Sequence, residues 1–227
     1  ETHVIAAYAV TARSASSRAK RYVFAPDENV IRVQATDADT MAQGDLSLLD
    51  YTSVYLQKNR IVVGNGRQAE AVAASDAWEE YLPTTHLERA LAHWSYENDT
   101  YRTPRITGLV KRRDQRYAAA LHRIAADRED LPVRQSFAVP LTPGYVCALL
   151  TYAGPNVRPT PSFTGEPLLL AHVYETAEEF AQGLFEALAP APDQEDLRVS
   201  AMVVYEEMAT GKGTISIINQ VDRSLSA

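Results

Sequence analysis

Cysteine is nearly absent: Cys147 is the single one in 227 residues. No intrachain disulfide can form, which fits a reducing compartment, and a cytoplasmic location is expected. No apolar run approaches the ~20 residues that a membrane-spanning helix needs, and no signal peptide is visible. Basic residues are in deficit, with 22 Lys+Arg against 29 Asp+Glu and a net charge of −7. Nucleic-acid binding wants a basic face, so neither nucleic acid nor a membrane is expected as a partner. A few arginines can still build a local positive pocket on an acidic protein.

Familiar catalytic signatures are missing too. There is no Gly-x-Ser-x-Gly, and no Cys-His signature accompanies Cys147, whose apolar strand makes it inert core. Gly211-Lys212-Gly213 is too short for a phosphate loop. His86 and His93 stand seven apart with no third ligand at metal spacing. No metal is expected at this pair.

With 46% apolar residues the chain can bury a sizeable core. Short apolar runs bounded by turn residues predict strands over 3–12, 21–24, 30–34, 52–56, 60–63, 106–110, 117–124, 135–139, 145–152, 197–205 and 214–219. Helical spacing predicts helices over 68–78, 87–96 with Thr84 or Thr85 as N-cap, and 176–188. Residues 155–167, rich in Pro, Thr, Ser and Gly, are a loop. Strands that come in hairpins predict mainly antiparallel sheets. The expected fold class is α+β, a four-layer αββα sandwich of two stacked sheets with helices outside, in a single domain over 1–227. The sequence opens with a strand already under way and no Met, so a native N-terminal strand is expected upstream.

Polar residues concentrate at junctions, where rigid elements position sites. Arg13, Ser14 and Arg18 follow the first strand. They could hold a phosphate, because guanidinium groups donate in pairs and hydroxyls add neutral donors. The bland alternative is a solvated turn feeding the basic run Arg18-Ala19-Lys20-Arg21. Next, an apolar strand ends in Asn65-Gly66 and a helix follows. Free N–H groups at a helix start suit an anion or oxyanion, although Asn-Gly is also ordinary turn chemistry. Residues 96–105, Tyr-Glu-Asn-Asp-Thr-Tyr-Arg-Thr-Pro-Arg, put Glu97, Asp99, Tyr101, Thr103 and Arg105 into one turn. Carboxylates beside arginine are either ionised salt-bridge partners or, when buried, general acids. Such density of both charges suits a polar anionic small molecule.

The 96–105 segment resembles the Tyr-Glu-x-Asp-x-Tyr-x-Thr-Pro-Arg stretch of the archaeal-type inosine monophosphate (IMP) cyclohydrolase family. The Arg13 segment is similar to that family's Val-Ser-Ser-Arg-Ser motif and second arginine, with Val10, Arg13, Ser14 and Arg18 matching and Thr11 and Ala12 replacing the leading serines. Tyr51, Asn65 and Glu70 also match in an ungapped stretch. Residues 162–167, Ser-Phe-Thr-Gly-Glu-Pro, are similar to a segment of bacterial members, and the Ala- and Arg-rich composition suggests a bacterial source.

The resemblance implies a fold similar to N-terminal nucleophile hydrolases and closure of 5-formamidoimidazole-4-carboxamide ribotide to IMP with loss of water, a purine-biosynthesis step without metal or redox cofactor. It implies a purine-type nucleotide as small-molecule partner; self-association into a homo-oligomer is compatible with it. The roles implied are phosphate binding by Arg13, Ser14 and Arg18, further substrate binding by Thr103, orientation or oxyanion donation by Tyr51 and Asn65, proton shuttling by Glu97, and pocket shaping by Tyr101 and Arg105. Arg13, Tyr51, Asn65, Glu97 and Arg105 are expected to line one pocket. The other reading is a member recruited to a different amide-forming or amide-hydrolysing step in specialised metabolism, or a non-catalytic nucleotide-binding module.

Overall fold

The computed structural model describes residues 3–75, 82–114, 116–154 and 157–224. In chain order its first elements are β1 His3–Thr11, α1 Ala15–Arg18, β2 Lys20–Ala25, β3 Val30–Ala35, α2 Ala38–Met41, α3 Leu46–Leu49, β4 Thr52–Gln57 and β5 Arg60–Gly64. Then come α4 Gln68–Ala74, α5 Pro83–Ala90, β6 Arg105–Arg113, β7 Arg116–Ala126, β8 Pro132–Val139, β9 Tyr145–Ala148 and β10 Leu168–Ala171. The last are α6 Ala177–Ala187, β11 Arg198–Glu207, β12 Gly213–Asn219 and α7 Gln220–Ser224. Strand pairing is antiparallel in both units described below, so the α+β class expected from the sequence holds.

One compact unit comprises Glu1–Thr52 and Val173–Ala227. Its sheet runs β1-β11-β12, with Tyr8 opposite Met202 and Met202 opposite Ile217. Helix α6 packs on one face of β11, and the β2–β3 hairpin packs on β11 and β12. Cover on both faces explains why Val199 to Tyr205 are buried without the alternation of a half-exposed strand. Helix α6 starts on a capping box: Thr176 accepts from the Glu179 N–H, and the Glu179 carboxylate reaches back to the cap. Phe180, Ala181 and Phe185 form its buried stripe.

The other unit is Ser53–His172. Strands β4 to β8 pair in sequence order, and α4 and α5 cover one face. Val62, Ala69, Val72, Leu87, Leu91, Leu109, Ala120 and Ile124 make that core. Strands β9 and β10 form a separate two-stranded ribbon. The helix-on-sheet layering expected of the sandwich is present in each unit.

Several boundaries differ from the sequence reading. Helix α4 stops at Ala74 because Ser75 turns extended, at φ −69° and ψ 125°; the expected extension to Ala77 and Trp78 lies outside the described residues. Helix α5 starts at Pro83 rather than Leu87. Proline's fixed φ suits the first helical position, which moves Thr84 and Thr85 inside the helix. It ends at Ala90, and Leu91–Trp94 continue as a tighter turn closed by Trp94 N–H to the Leu91 carbonyl at 3.0 Å. The strand expected over 145–152 stops at Ala148, and β10 falls in a stretch for which the sequence reading proposed no element.

Candidate functional site

The second unit holds a buried polar network built on Gln68. Strand β5 delivers Asn65 and Gly66, and Gln68 opens α4 fully buried. Strand β6 starts at Arg105, immediately after the 96–105 turn. The Gln68 side-chain amide donates to Asn65 Oδ1 at 2.9 Å and to the Ile106 carbonyl at 3.1 Å. Its oxygen accepts from Arg105 Nη1 at 2.9 Å. The same Arg105 nitrogen reaches Glu97 Oε1 at 3.3 Å, with side-chain exposures of only 11% and 9%. Asn65 Nδ2 donates to the Pro104 carbonyl at 2.8 Å, and Asn65 Oδ1 accepts the Ile106 N–H at 2.8 Å. Trp94 completes the cradle, its ring 5.3 Å from the Arg105 guanidinium.

The turn that carries Glu97 is not helical. The Glu97 N–H bonds the Thr103 carbonyl at 2.9 Å and closes a loop. Inside it, Asp99 accepts from the Thr103 N–H at 2.8 Å and the Thr103 hydroxyl at 2.6 Å. Since Thr103 Oγ1 donates to Asp99, the Tyr152 hydroxyl 2.5 Å away must donate to Thr103. Arg102 sits in the left-handed region at φ 50°, a conformation non-glycine residues adopt at a cost, and its guanidinium pairs with Asp130. The loop sends Glu97 and Tyr101 to different partners: Glu97 to Arg105, and Tyr101 to Arg158, which donates to its hydroxyl at 3.0 Å and lies over its ring.

In the first unit, Tyr51 is buried with its hydroxyl 2.7 Å from Tyr22 and 3.5 Å from Tyr8. Burial, followed by the neighbouring Tyr22 and Tyr8 phenols, pushes the Tyr51 pKa well above its usual value. It therefore stays protonated and can donate. The Lys20 ammonium lies 5.8 Å from the Tyr22 ring centre and 5.4 Å from that of Tyr51, and the residue is only 6% exposed.

Around α1 the hydroxyls are already engaged. Ser14 caps the helix by accepting the Ser17 N–H at 3.1 Å and donates to the Ser17 hydroxyl at 2.8 Å. Arg18 lies 2.7 Å from Glu195; the nitrogen that makes this approach satisfies no hydrogen-bond geometry, so the contact is an ion pair by proximity, off the line of a hydrogen bond. Arg13 is half-buried beside them in sequence.

Of the residues singled out in sequence, Asn65, Glu97 and Arg105 share one network through Gln68. Tyr101 and Thr103 flank it on the same turn with other partners. Tyr51 belongs to the phenol cluster, and Arg13, Ser14 and Arg18 to the α1 segment. The sequence reading missed two residues. Gln68 looked like an ordinary first-turn residue. Lys20 was absorbed into a basic run, although its i, i+2 spacing with Tyr22 on a strand was the available signal that both point to one face. Among the described residues, no group of three or more His, Cys, Asp or Glu is placed to hold a metal ion, and no helix is long and apolar enough to cross a membrane.

A family model described as IMP cyclohydrolase-like protein matches residues 1–212. The chain belongs to this family. A search of curated proteins finds no match. The IMP cyclohydrolase-like match spans the α1 segment, the phenol cluster and the Asn65–Gln68–Glu97–Arg105 network, and supports a cyclohydrolase-type activity on a nucleotide-type small molecule.

Proposed function

We propose that this protein closes 5-formamidoimidazole-4-carboxamide ribotide to IMP. The observation that carries the reading is the buried Glu97–Arg105 pair locked by Gln68 and Asn65, in a chain of the cyclohydrolase-like family. In the reaction the carboxamide nitrogen attacks the formyl carbon of the same molecule. A C–N bond forms, and the carbonyl π pair moves onto oxygen. The former formyl oxygen then leaves as water, with one proton taken from the attacking nitrogen and one from the formamido nitrogen, whose electron pair forms the ring C=N bond as the C–O bond breaks.

Both reacting groups belong to one substrate, so orientation lowers much of the barrier. What remains is moving protons and steadying the oxygen. Glu97, held at one oxygen by Arg105, accepts a proton from the attacking nitrogen and returns it to the departing hydroxyl. Arg105 keeps that carboxylate in position and offsets the cost of burying its charge. Tyr51, protonated throughout the physiological range, is assigned to donate a hydrogen bond to the adduct oxygen, with the Lys20 charge beside it. Asn65 and the Tyr101–Thr103 turn shape the base-binding surface. Arg13, Ser14 and Arg18 are assigned to the phosphate.

The test is direct. Purified protein is incubated with the formamido ribotide, and IMP is followed by chromatography. Steady accumulation of IMP, abolished or strongly slowed in Glu97→Gln, is the expected result. Wild-type protein that binds IMP but never forms it from the ribotide would overturn this reading in favour of a binding module or another amide chemistry.

A further inference from the structure

Two short stretches of the second unit link its main sheet to the 96–105 turn. Residues 151–153 and 161–163 lie antiparallel, with Tyr152 opposite Ser162. The Ala153 N–H bonds the Pro161 carbonyl at 2.9 Å, and the Phe163 N–H bonds the Thr151 carbonyl at 3.0 Å. Arg123, on β7, anchors the pair. It is 1% exposed, yet its acceptors are all neutral: the Gly165 carbonyl at 3.0 Å, the Thr164 carbonyl at 3.2 Å and the Gln135 side-chain oxygen. The Phe137 and Phe163 rings lie 5.5 and 5.8 Å from its guanidinium. Burying a cation on neutral acceptors is costly, and an apolar side chain would fill the space at less cost. What the planar fork adds is a fixed direction for two successive carbonyls, and so a fixed position for the stretch that carries Tyr152.

At the other end the Tyr152 hydroxyl donates to Thr103 Oγ1 at 2.5 Å. Thr103 is the residue whose carbonyl accepts the Glu97 N–H, and its own N–H and hydroxyl are held by Asp99. Arg158, between the two paired stretches, adds a second tie through the Tyr101 hydroxyl and ring. We infer that Tyr152 is a positioning residue for Glu97: it acts through Thr103, and Arg123 anchors the loop that delivers it. The effect on turnover rests on the role assigned to Glu97 above, whereas the effect on the turn does not. The Tyr152 ring needs only to be placed once, by the paired stretches, for its hydroxyl to restrain a loop that has no helix or strand of its own.

Tyr152→Phe removes one hydroxyl and keeps the ring. Amide hydrogen exchange of the full chain without ligand, followed by NMR, should be roughly 3- to 10-fold faster at Glu97 and Thr103, the loss of about one hydrogen bond. With the formamido ribotide, kcat should fall by a similar factor of roughly 3 to 10 while KM stays unchanged. On the Glu97→Gln background the same substitution should cost nothing further, because the group it positions is gone; a merely structural role would cost the same on both backgrounds. Arg123→Lys keeps the charge but loses the fork, and should speed exchange at Phe163 and Glu97 together. Unchanged exchange at Glu97 and Thr103 in Tyr152→Phe would overturn the inference, as would an equal kcat loss on both backgrounds. Arg123→Lys that speeds exchange at Phe163 alone would remove Arg123 as the anchor. If wild type forms no IMP, the assigned reaction falls and exchange alone decides the positioning role.

Discussion

Gly66 offers the sharpest perturbation of the buried network. A Cβ there would collide with Arg105 Nη1 and lie 2.8 Å from Gln68 Oε1 and 3.1 Å from Glu97 Oε1. The backbone at Gly66 is outside the left-handed region, so alanine brings no dihedral strain and the whole effect comes from space. Three polar groups converge on the point the methyl would occupy. The easiest relief is for Arg105 to swing away, which breaks its bonds to Gln68 and Glu97 and leaves a carboxylate that is mostly buried without its partner. Overpacking of this kind costs about 1–3 kcal/mol, which for a chain of this size lowers Tm by roughly 2–12 °C. Displacing the Glu97–Arg105 pair by about 1 Å should cut turnover on the order of 10²-fold. Gly108→Ala is the matched control: its Cβ would meet Leu121 at 3.4 Å and Val63 at 3.9 Å, which is ordinary contact. Turnover of the formamido ribotide and thermal unfolding are measured on both. If Gly66→Ala turns over as wild type does, or if Gly108→Ala suffers equally, the network is not what positions the chemistry.

Glu97→Gln keeps the size of the side chain but cannot carry the proton; kcat should fall by ~10²–10⁴, the range for general acid–base groups, and a kcat within threefold of wild type in steady-state assays would rule out the shuttle role. Arg13→Ala should raise KM for the ribotide more than it lowers kcat if the phosphate contact is equally strong in ground and transition states, so an unchanged KM argues against Arg13 as a phosphate ligand. His86 and His122 are both held down to a pKa of about 4, chiefly by burial, with Lys111 acting further on His86 and Arg134 on His122. Their folded pKa values lie below the unfolded value of 6.5, so their contribution to stability is complete above that pH and is lost as pH falls toward 4. Denaturant midpoints at pH 7 and pH 5 should therefore differ less in His122→Gln than in wild type, and an identical difference would show that His122 does not titrate on unfolding.

Much of this protein is determined by local chemistry that sequence alone carries. Thr176 and Glu179 have the spacing of a capping box, and α6 begins there. Hairpin turns such as residues 209–213 separate runs that pair in the structure, because a short connection leaves antiparallel pairing as the near solution. The 96–105 turn was visible as a polar junction because Pro104 bars a helix from crossing it. Tertiary structure decided what each polar group faces. Gln68 is a network hub only because β5 and β6 pair Gly64 with Thr107, which brings Asn65 and Arg105 to the same strand ends. Lys20 became buried only when Tyr22 and Tyr51 met it. The separation of Tyr101 from Glu97 follows from the loop closed between Glu97 and Thr103, a bond that depends on backbone dihedrals the residue order does not fix. Propensity and capping act over a few neighbouring residues and so are written in the sequence, whereas hydrogen bonds between residues 37 or 40 positions apart, such as Arg105 to Gln68 and Arg134 to Trp94, exist only once the chain has folded.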